Sequence, residues 1–125
     1  MGGITWVDAA SIGTVANGVT GMEFAKIGGL LWIRGYCNNA TVVGAGTTLF
    51  LLTNHSYHLD IPNTTVSPSV LGEIKTFGFD LTSELIQLKN VVNNANKFSL
   101  HNSTRLDAND YNQIQPVALG RLLTP

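Results

Sequence analysis

An all-β fold, of the antiparallel, jelly-roll-like β-sandwich type, is predicted by three features of this sequence. Runs rich in β-branched and aromatic residues are punctuated by turn residues along most of the chain. Gly28-Gly29 separates two of those runs, at a spacing where a tight hairpin turn needs positive φ. Charged residues make up 12% of the chain and apolar residues 44%, so the surface must be built largely from small neutral polar groups. Disorder would require the reverse balance.

The elements follow in order. Residues 1–21, rich in Gly, Ala, Ser and Thr, read as a linker whose Trp6 docks on the domain, and residues 22–125 read as that domain. Met22 to Tyr36 forms the hairpin. In its second run Leu30, Trp32, Arg34 and Tyr36 point one way, and Leu31, Ile33, Gly35 and Cys37 the other. A strand apolar on both faces needs cover on both, so one cover is expected from the chain's own core and the other from a second copy. After a turn at Asn38-Asn39-Ala40, strands are expected at 47–52 and 56–61. In the latter, Tyr57, Leu59 and Ile61 share one face and His58 and Asp60 the other. Pro62 stops that strand and 63–69 is a loop. Residues 73–81 alternate with Phe77, Phe79 and Leu81 on one face. Leu81, Leu85, Leu88 and Val92 stand at helical spacing, yet the strands on either side favour strand for 81–92. The final strands are expected at 97–100 and 115–119, with a polar loop between His101 and Asn112.

Several function classes are excluded at this level. The net charge is −1 and no Lys/Arg cluster is present, which argues against nucleic-acid binding. The longest apolar run, Ile27 to Ile33, is too short to span a bilayer, so no membrane insertion is expected. Cys37 is the single cysteine; it can form no internal disulfide and reads as a small buried hydrophobe. No basic region followed by an apolar core opens the chain, so no signal peptide is expected and synthesis is placed in a cytosol.

Chemistry-bearing residues are sparse. His55 and His58 lie close together, with Asp60 on the His58 face and Ser56 pointing away, which fits an exposed His–Asp pair better than a nucleophilic site. His55, His58 and His101 match no tight zinc spacing. Asp60, Glu73, Asp80, Glu84, Asp107 and Asp110 show no spacing that singles out a catalytic pair. The expectation is therefore no enzyme, no metal and no cofactor. Aromatic residues offer more. Trp6, Trp32, Tyr36, Tyr57 and Tyr111 join apolar faces to polar tips, and such rings stack on the apolar face of a pyranose. The apolar strand around Trp32 assigns that ring to core or subunit interface, whereas Tyr57 and Tyr111 border polar loops.

The motif Phe24-Ala25-Lys26-Ile27-Gly28-Gly29-Leu30-Leu31-Trp32-Ile33-Arg34-Gly35 resembles the "KIGN-aliphatic-V-x-V-x-G" hairpin of distal domains in bacteriophage tail fibres and tailspikes. Gly46-Thr47-Thr48-Leu49-Phe50-Leu51-Leu52 and Tyr57 are similar to the "G-T-x-L-F-x-L-P-x-G-Y-R-P" stretch that follows it in those domains. The resemblance covers Val19 to Tyr57. It departs at Leu52-Thr53-Asn54-His55-Ser56-Tyr57-His58, which lacks that proline and arginine. Gly18-Val19-Thr20-Gly21 looks like a fibre-shaft exit.

The resemblance implies a homotrimeric β-sandwich at the virion's fibre tip, made in the host cytoplasm. Its partner would be a bacterial surface glycan, lipopolysaccharide or capsule, bound during host attachment. Candidate ligand contacts on this reading are Asn54, His55, Tyr57, His58, Asp107, Asn109 and Tyr111, and the trimer interface would use Leu30, Trp32, Arg34 and Tyr36. A structural cap that locks the trimer, or a polysaccharide-degrading domain, are the alternative roles.

Overall fold

The structure, a computed structural model, describes residues 3–39, 42–61, 70–78, 83–103 and 111–124. Its strands are β1 (Val7–Asp8), β2 (Gly13–Val15), β3 (Val19–Ile27), β4 (Leu30–Asn39), β5 (Thr48–Leu52), β6 (Val70–Gly78), β7 (Ser83–Val91), β8 (Asn94–Asn102) and β9 (Tyr111–Arg121). A four-residue helix, α1 (Ala9–Ile12), joins β1 to β2, and a 3-10 turn spans His55–Tyr57. The chain is thus nearly all β, and every strand pair is antiparallel.

All nine strands belong to one continuous sheet, in the order β1-β3-β4-β9-β6-β7-β8-β5-β2. The outermost strands, β1 and β2, are separated in the chain only by α1. One helical turn advances about 6 Å, so the two edges of the sheet must come together and the sheet must curl on itself. Ala9 and Ile12 of α1 are buried in the seam. β9 and β6 share two residue pairs, Phe77↔Gln113 and Gly78↔Asn112, among the described residues.

Curling brings distant strands face to face. Phe24 on β3 meets Phe50 on β5 with ring centroids 4.9 Å apart, and both contact Phe98 on β8 at 6.2 and 5.9 Å. All three rings are fully buried and anchor a single core that includes Leu31, Ile33 and Ile114. Cys37 is buried in that core as a free thiol.

The diglycine hairpin forms as the sequence predicts. Ile27 pairs with Leu30, and Gly28 and Gly29 take φ values of 61° and 80°, the double positive of a type I′ turn. Leu31, Ile33 and Cys37 face the core, while Leu30, Trp32, Arg34 and Tyr36 are half-buried on the outer face. Part of the outer cover comes from the same chain. Trp6 lies under the Arg34 guanidinium at 4.1 Å, and Tyr111 stacks on Tyr36. The doubly apolar character of β4 is therefore met in part within one molecule.

Two other expectations change, and two are made specific. Residues 7–15, read as linker, form both outermost strands of the sheet and the helix that links them. The strand expected at 56–61 is instead a 3-10 turn with one isolated bridge, Leu59↔Leu122. Its cause is local: the Asn54 side-chain oxygen accepts from the Ser56 N–H at 2.9 Å, a capping geometry that competes with extension. Even so, Leu59 is buried and Tyr57 and Ile61 pack on the core, as the shared face required. In β6 it is Ile74 and Thr76 that point inward, so Phe77 is outside, 44% exposed; Phe79 and Leu81 lie outside the described residues. Residues 83–91 form the favoured strand, with Ile86, Leu88 and Asn90 buried in alternation and Leu85 outward.

One close approach fixes how β3 and β4 carry their outer side chains. Their register shifts between Thr20 and Met22, and Gly21 and Gly35 there adopt φ of 98° and 116°. A Cβ on Gly35 would run into the Gly21 carbonyl, and one on Gly21 would enter the Tyr36 ring. The bulge lets the Tyr36 ring lie flat against the backbone of β3. Gly35→Ala is expected to lower stability by roughly 1–3 kcal/mol, read as an earlier midpoint in urea unfolding. A neutral substitution would show that the hairpin relaxes freely here.

Candidate functional site

The candidate ligand residues fall in two places, because β9 separates them. Tyr111 begins β9 and pairs beside Asn38. The turn that carries Asn54, His55, Tyr57 and His58 is tied to the other end of β9. There the Asp60 N–H donates to the Arg121 carbonyl at 2.9 Å and the Leu123 N–H to the His58 carbonyl at 2.9 Å. Ten residues of strand extend roughly 30 Å, so these groups cannot contact one small ligand together. Asp107 and Asn109 lie outside the described residues.

The first place is an aromatic surface at the Tyr111 end. Tyr36 and Tyr111 stack with centroids 4.8 Å apart and planes 21° from parallel. Residues paired across a sheet point to the same side, and Tyr36 pairs with Gln113, which in turn pairs with Phe77. Tyr111, Tyr36, Gln113 and Phe77 therefore share the outer face across β4, β9 and β6. The Lys75 ammonium sits 5.5 Å from the centre of the Phe77 ring. The sequence places Tyr36 in an interface and Phe77 on one face of an alternating strand, with that face left unassigned. The alternation Ile74, Thr76, Gly78 was the signal that would have turned Phe77 outward.

Tyr36 also forms one wall of a cleft of about 530 Å³ at the seam, where α1 meets β3. Its lining is mostly apolar (Ala9, Val15, Val19 and Met22 among others), with Asp8, Thr20 and Glu23 as polar groups. Glu23 is engaged by the Arg34 Nε at 3.1 Å. Both partners are over a third exposed, so the pair orients these side chains more than it stabilises the fold. The guanidinium stacked over Trp6 completes a Trp6–Arg34–Glu23 chain beside the cleft.

The second place is the 3-10 turn. The Ile12 carbonyl accepts from the Thr53 N–H at 3.1 Å and from the Asn54 N–H at 3.0 Å, anchoring the turn to α1. The Leu59 N–H donates to the Asn96 carbonyl at 3.0 Å, anchoring it to the start of β8. Between these anchors is a pocket of about 330 Å³ lined by Thr53, His55, His58, Asn93, Asn94 and Lys97, with Ala95. The His55 and His58 rings meet edge to face, 4.8 Å apart. Tyr57 is committed elsewhere: it packs on the core, and the Lys26 ammonium lies 4.6 Å from its ring centre.

His101 is not part of either place. It stands on β8 with Nε2 2.9 Å from the Ser99 hydroxyl and Nδ1 3.3 Å from the Gly46 carbonyl, clasping β8 to the segment before β5. Among the described residues no group of three or more His, Cys, Asp and Glu is arranged to hold a metal ion. Among the described residues no helix is long and apolar enough to cross a membrane. No family model, curated protein or solved structure matches the chain.

The histidines give the fold a pH dependence. His58 is lowered from its ordinary value of 6.5 by burial and by the positive charges of His55 and Lys97. His101 is also lowered, mainly by burial, against an opposing hydrogen bond to Gly46. A depressed imidazole means that the unfolded chain takes up the proton first. The stability contributed is present above pH 6.5 and is lost as the pH falls through the lowered values. Chemical denaturation at pH 7.5 and 5.5 is expected to show lower stability at 5.5, with the difference reduced in a His58→Gln, His101→Gln double variant. An unchanged difference would assign the acid sensitivity to other groups.

Proposed function

We propose that this chain is a non-enzymatic glycan-binding attachment domain, and that it serves as the receptor-binding tip of a bacteriophage tail fibre or tailspike. The observation that carries the binding reading is the outward row of Tyr111, Tyr36, Gln113 and Phe77. Rings held flat and half-exposed beside a primary amide combine stacking surface with hydrogen-bonding groups, the combination that pyranose rings require. The mostly apolar seam cleft adjoining Tyr36 extends the same surface. Assignment to a fibre tip is supported by the Phe24–Gly35 motif, which lies in the β3–β4 hairpin. The two arms of the curled sheet, packed across Phe24, Phe50 and Phe98, serve on this reading as the layers of a jelly-roll-like sandwich.

Tyr36→Ala and Tyr111→Ala are each expected to weaken binding to host cells or their lipopolysaccharide or capsule roughly tenfold, with far-UV circular dichroism unchanged. Binding unaffected in both variants would remove the tyrosine row from the site. Tyr57→Ala is expected to act on stability instead, through lost core packing.

The domain acts as a homotrimer on this reading. Trp32 on β4 and the exposed Ala118 paired with it on β9 supply an apolar outer surface for neighbouring copies. Threefold presentation multiplies weak single-site affinities. Light scattering is expected to give a mass near three times 13.4 kDa, and Trp32→Asp to reduce it to one chain. A wild-type monomer would leave Trp32 as an ordinary surface residue and withdraw the trimer.

A further inference from the structure

The pocket beside the 3-10 turn has an unusual charge character for this chain. Only 15 of 125 residues are charged in the formal count, 7 basic and 8 acidic. Yet two imidazoles and one ammonium converge on this pocket, and among the described residues no carboxylate is in its lining. The remaining polar groups, Thr53, Asn93 and Asn94, supply a hydroxyl and two amides. Asp60 is two residues from His58 in sequence but does not line the pocket.

Each neighbouring element adds to this balance. β8 contributes Lys97, and Lys26 at the end of β3 is turned to the Tyr57 ring. Arg121 at the end of β9 meets Asp60 through its carbonyl. Like charges held this close repel, and both His55 and Lys97 act to keep His58 neutral. An anion between them would reverse that repulsion into attraction. Imidazolium and ammonium donors make charge-assisted hydrogen bonds to oxyanions, stronger than those between neutral groups.

The rings are also pre-positioned. The turn is held to α1 through Ile12, to the start of β8 through Asn96 and to the segment just after β9 through Leu123. Each of those contacts is a backbone hydrogen bond, so the imidazoles sit on a segment fastened from three sides.

We propose that this pocket is an oxyanion subsite, formed by His55, His58 and Lys97, that takes the carboxylate or phosphate of an acidic saccharide. The inference rests on the glycan-binding reading for the saccharide, while the pocket itself is testable with simple anions. It gives the domain two contacts of different chemistry: rings at one end of β9 and a cationic pocket at the other.

The test is a histidine NMR titration of the full chain with inorganic phosphate, glucuronate and glucose, each against sodium chloride at matched ionic strength. Phosphate and glucuronate should move the His55 and His58 ring resonances saturably and raise their apparent pKa values. The two anions are scored separately, which distinguishes phosphate from carboxylate as the group bound. Glucose should leave both rings unmoved, and His101, hydrogen-bonded elsewhere, should not respond to any of the three. Affinity should rise about tenfold per pH unit of acidification for each coupled proton. Lys97→Met should weaken it about tenfold.

If neither anion shifts His55 or His58 beyond the chloride control, the subsite is overturned. An equal response at His101 would overturn it too, since it would report general screening. A domain that binds cells through the tyrosine row while its histidines ignore both anions keeps the glycan-binding reading and loses this one.

Discussion

Because α1 is a single helical turn, β1 and β2 cannot lie far apart, although they are the opposite edges of a nine-stranded sheet. Most of the architecture follows from that short tether. An open sheet exposes unpaired N–H and C=O groups along both edges and leaves one face uncovered. Here the edges converge, the inner face closes on itself, and Phe24, Phe50 and Phe98 meet across the interior. Ala9 and Ile12 fill the seam, and the Ile12 carbonyl then fastens the Thr53–Asn54 segment. The same helical turn thus closes the core and positions one of the two candidate surfaces.

The outer face is organised by a different constraint, the absence of side chains at Gly21 and Gly35. With backbone against backbone at that bulge, the Tyr36 ring drops onto β3 and becomes a flat floor for Tyr111. Any β-carbon there would lift the ring and break the row across β4, β9 and β6. Packing at the hairpin and ligand presentation on its outside are one geometric arrangement.

Much of this was legible in sequence where local chemistry decides. Gly28-Gly29 specified the hairpin, and alternation in 30–37 separated inner from outer residues correctly. At 83–91 the helical spacing of Leu85 and Leu88 lost to alternation, since Ile86, Leu88 and Asn90 supply the inner face. The failures have nonlocal causes. Glycine, alanine and serine in 7–15 look like linker because their role is to fit a narrow seam, which no local pattern records. Alternation in 73–81 gives Phe77 a face but not its direction, and only the burial of Ile74 and Thr76 shows that it is the outer one. The 56–61 segment kept the right buried face without being a strand, because Leu59 is fixed by a single bridge to Leu122. Tyr36 and Tyr111 are far apart in sequence, and only the β4–β9 register unites them.

On the proposed glycan-binding reading, that register also sets the scale of recognition. A surface of rings at one end of β9 and imidazoles at the other, roughly 30 Å apart by strand rise, is too long for a monosaccharide and matches several residues of a polymer. Rings grip apolar sugar faces whatever the charge, whereas a cationic pocket rejects neutral chains and rewards acidic ones. Separating the two functions lets affinity and selection be set independently, by stacking at one end and by protonation at the other. Tyr36 is fixed against the backbone at Gly21 with Tyr111 stacked on it, and the backbone that carries the histidines is fastened by hydrogen bonds on three sides. On the proposed reading neither end has to reorganise the core to meet a ligand, and the curled sheet serves as a spacer between them.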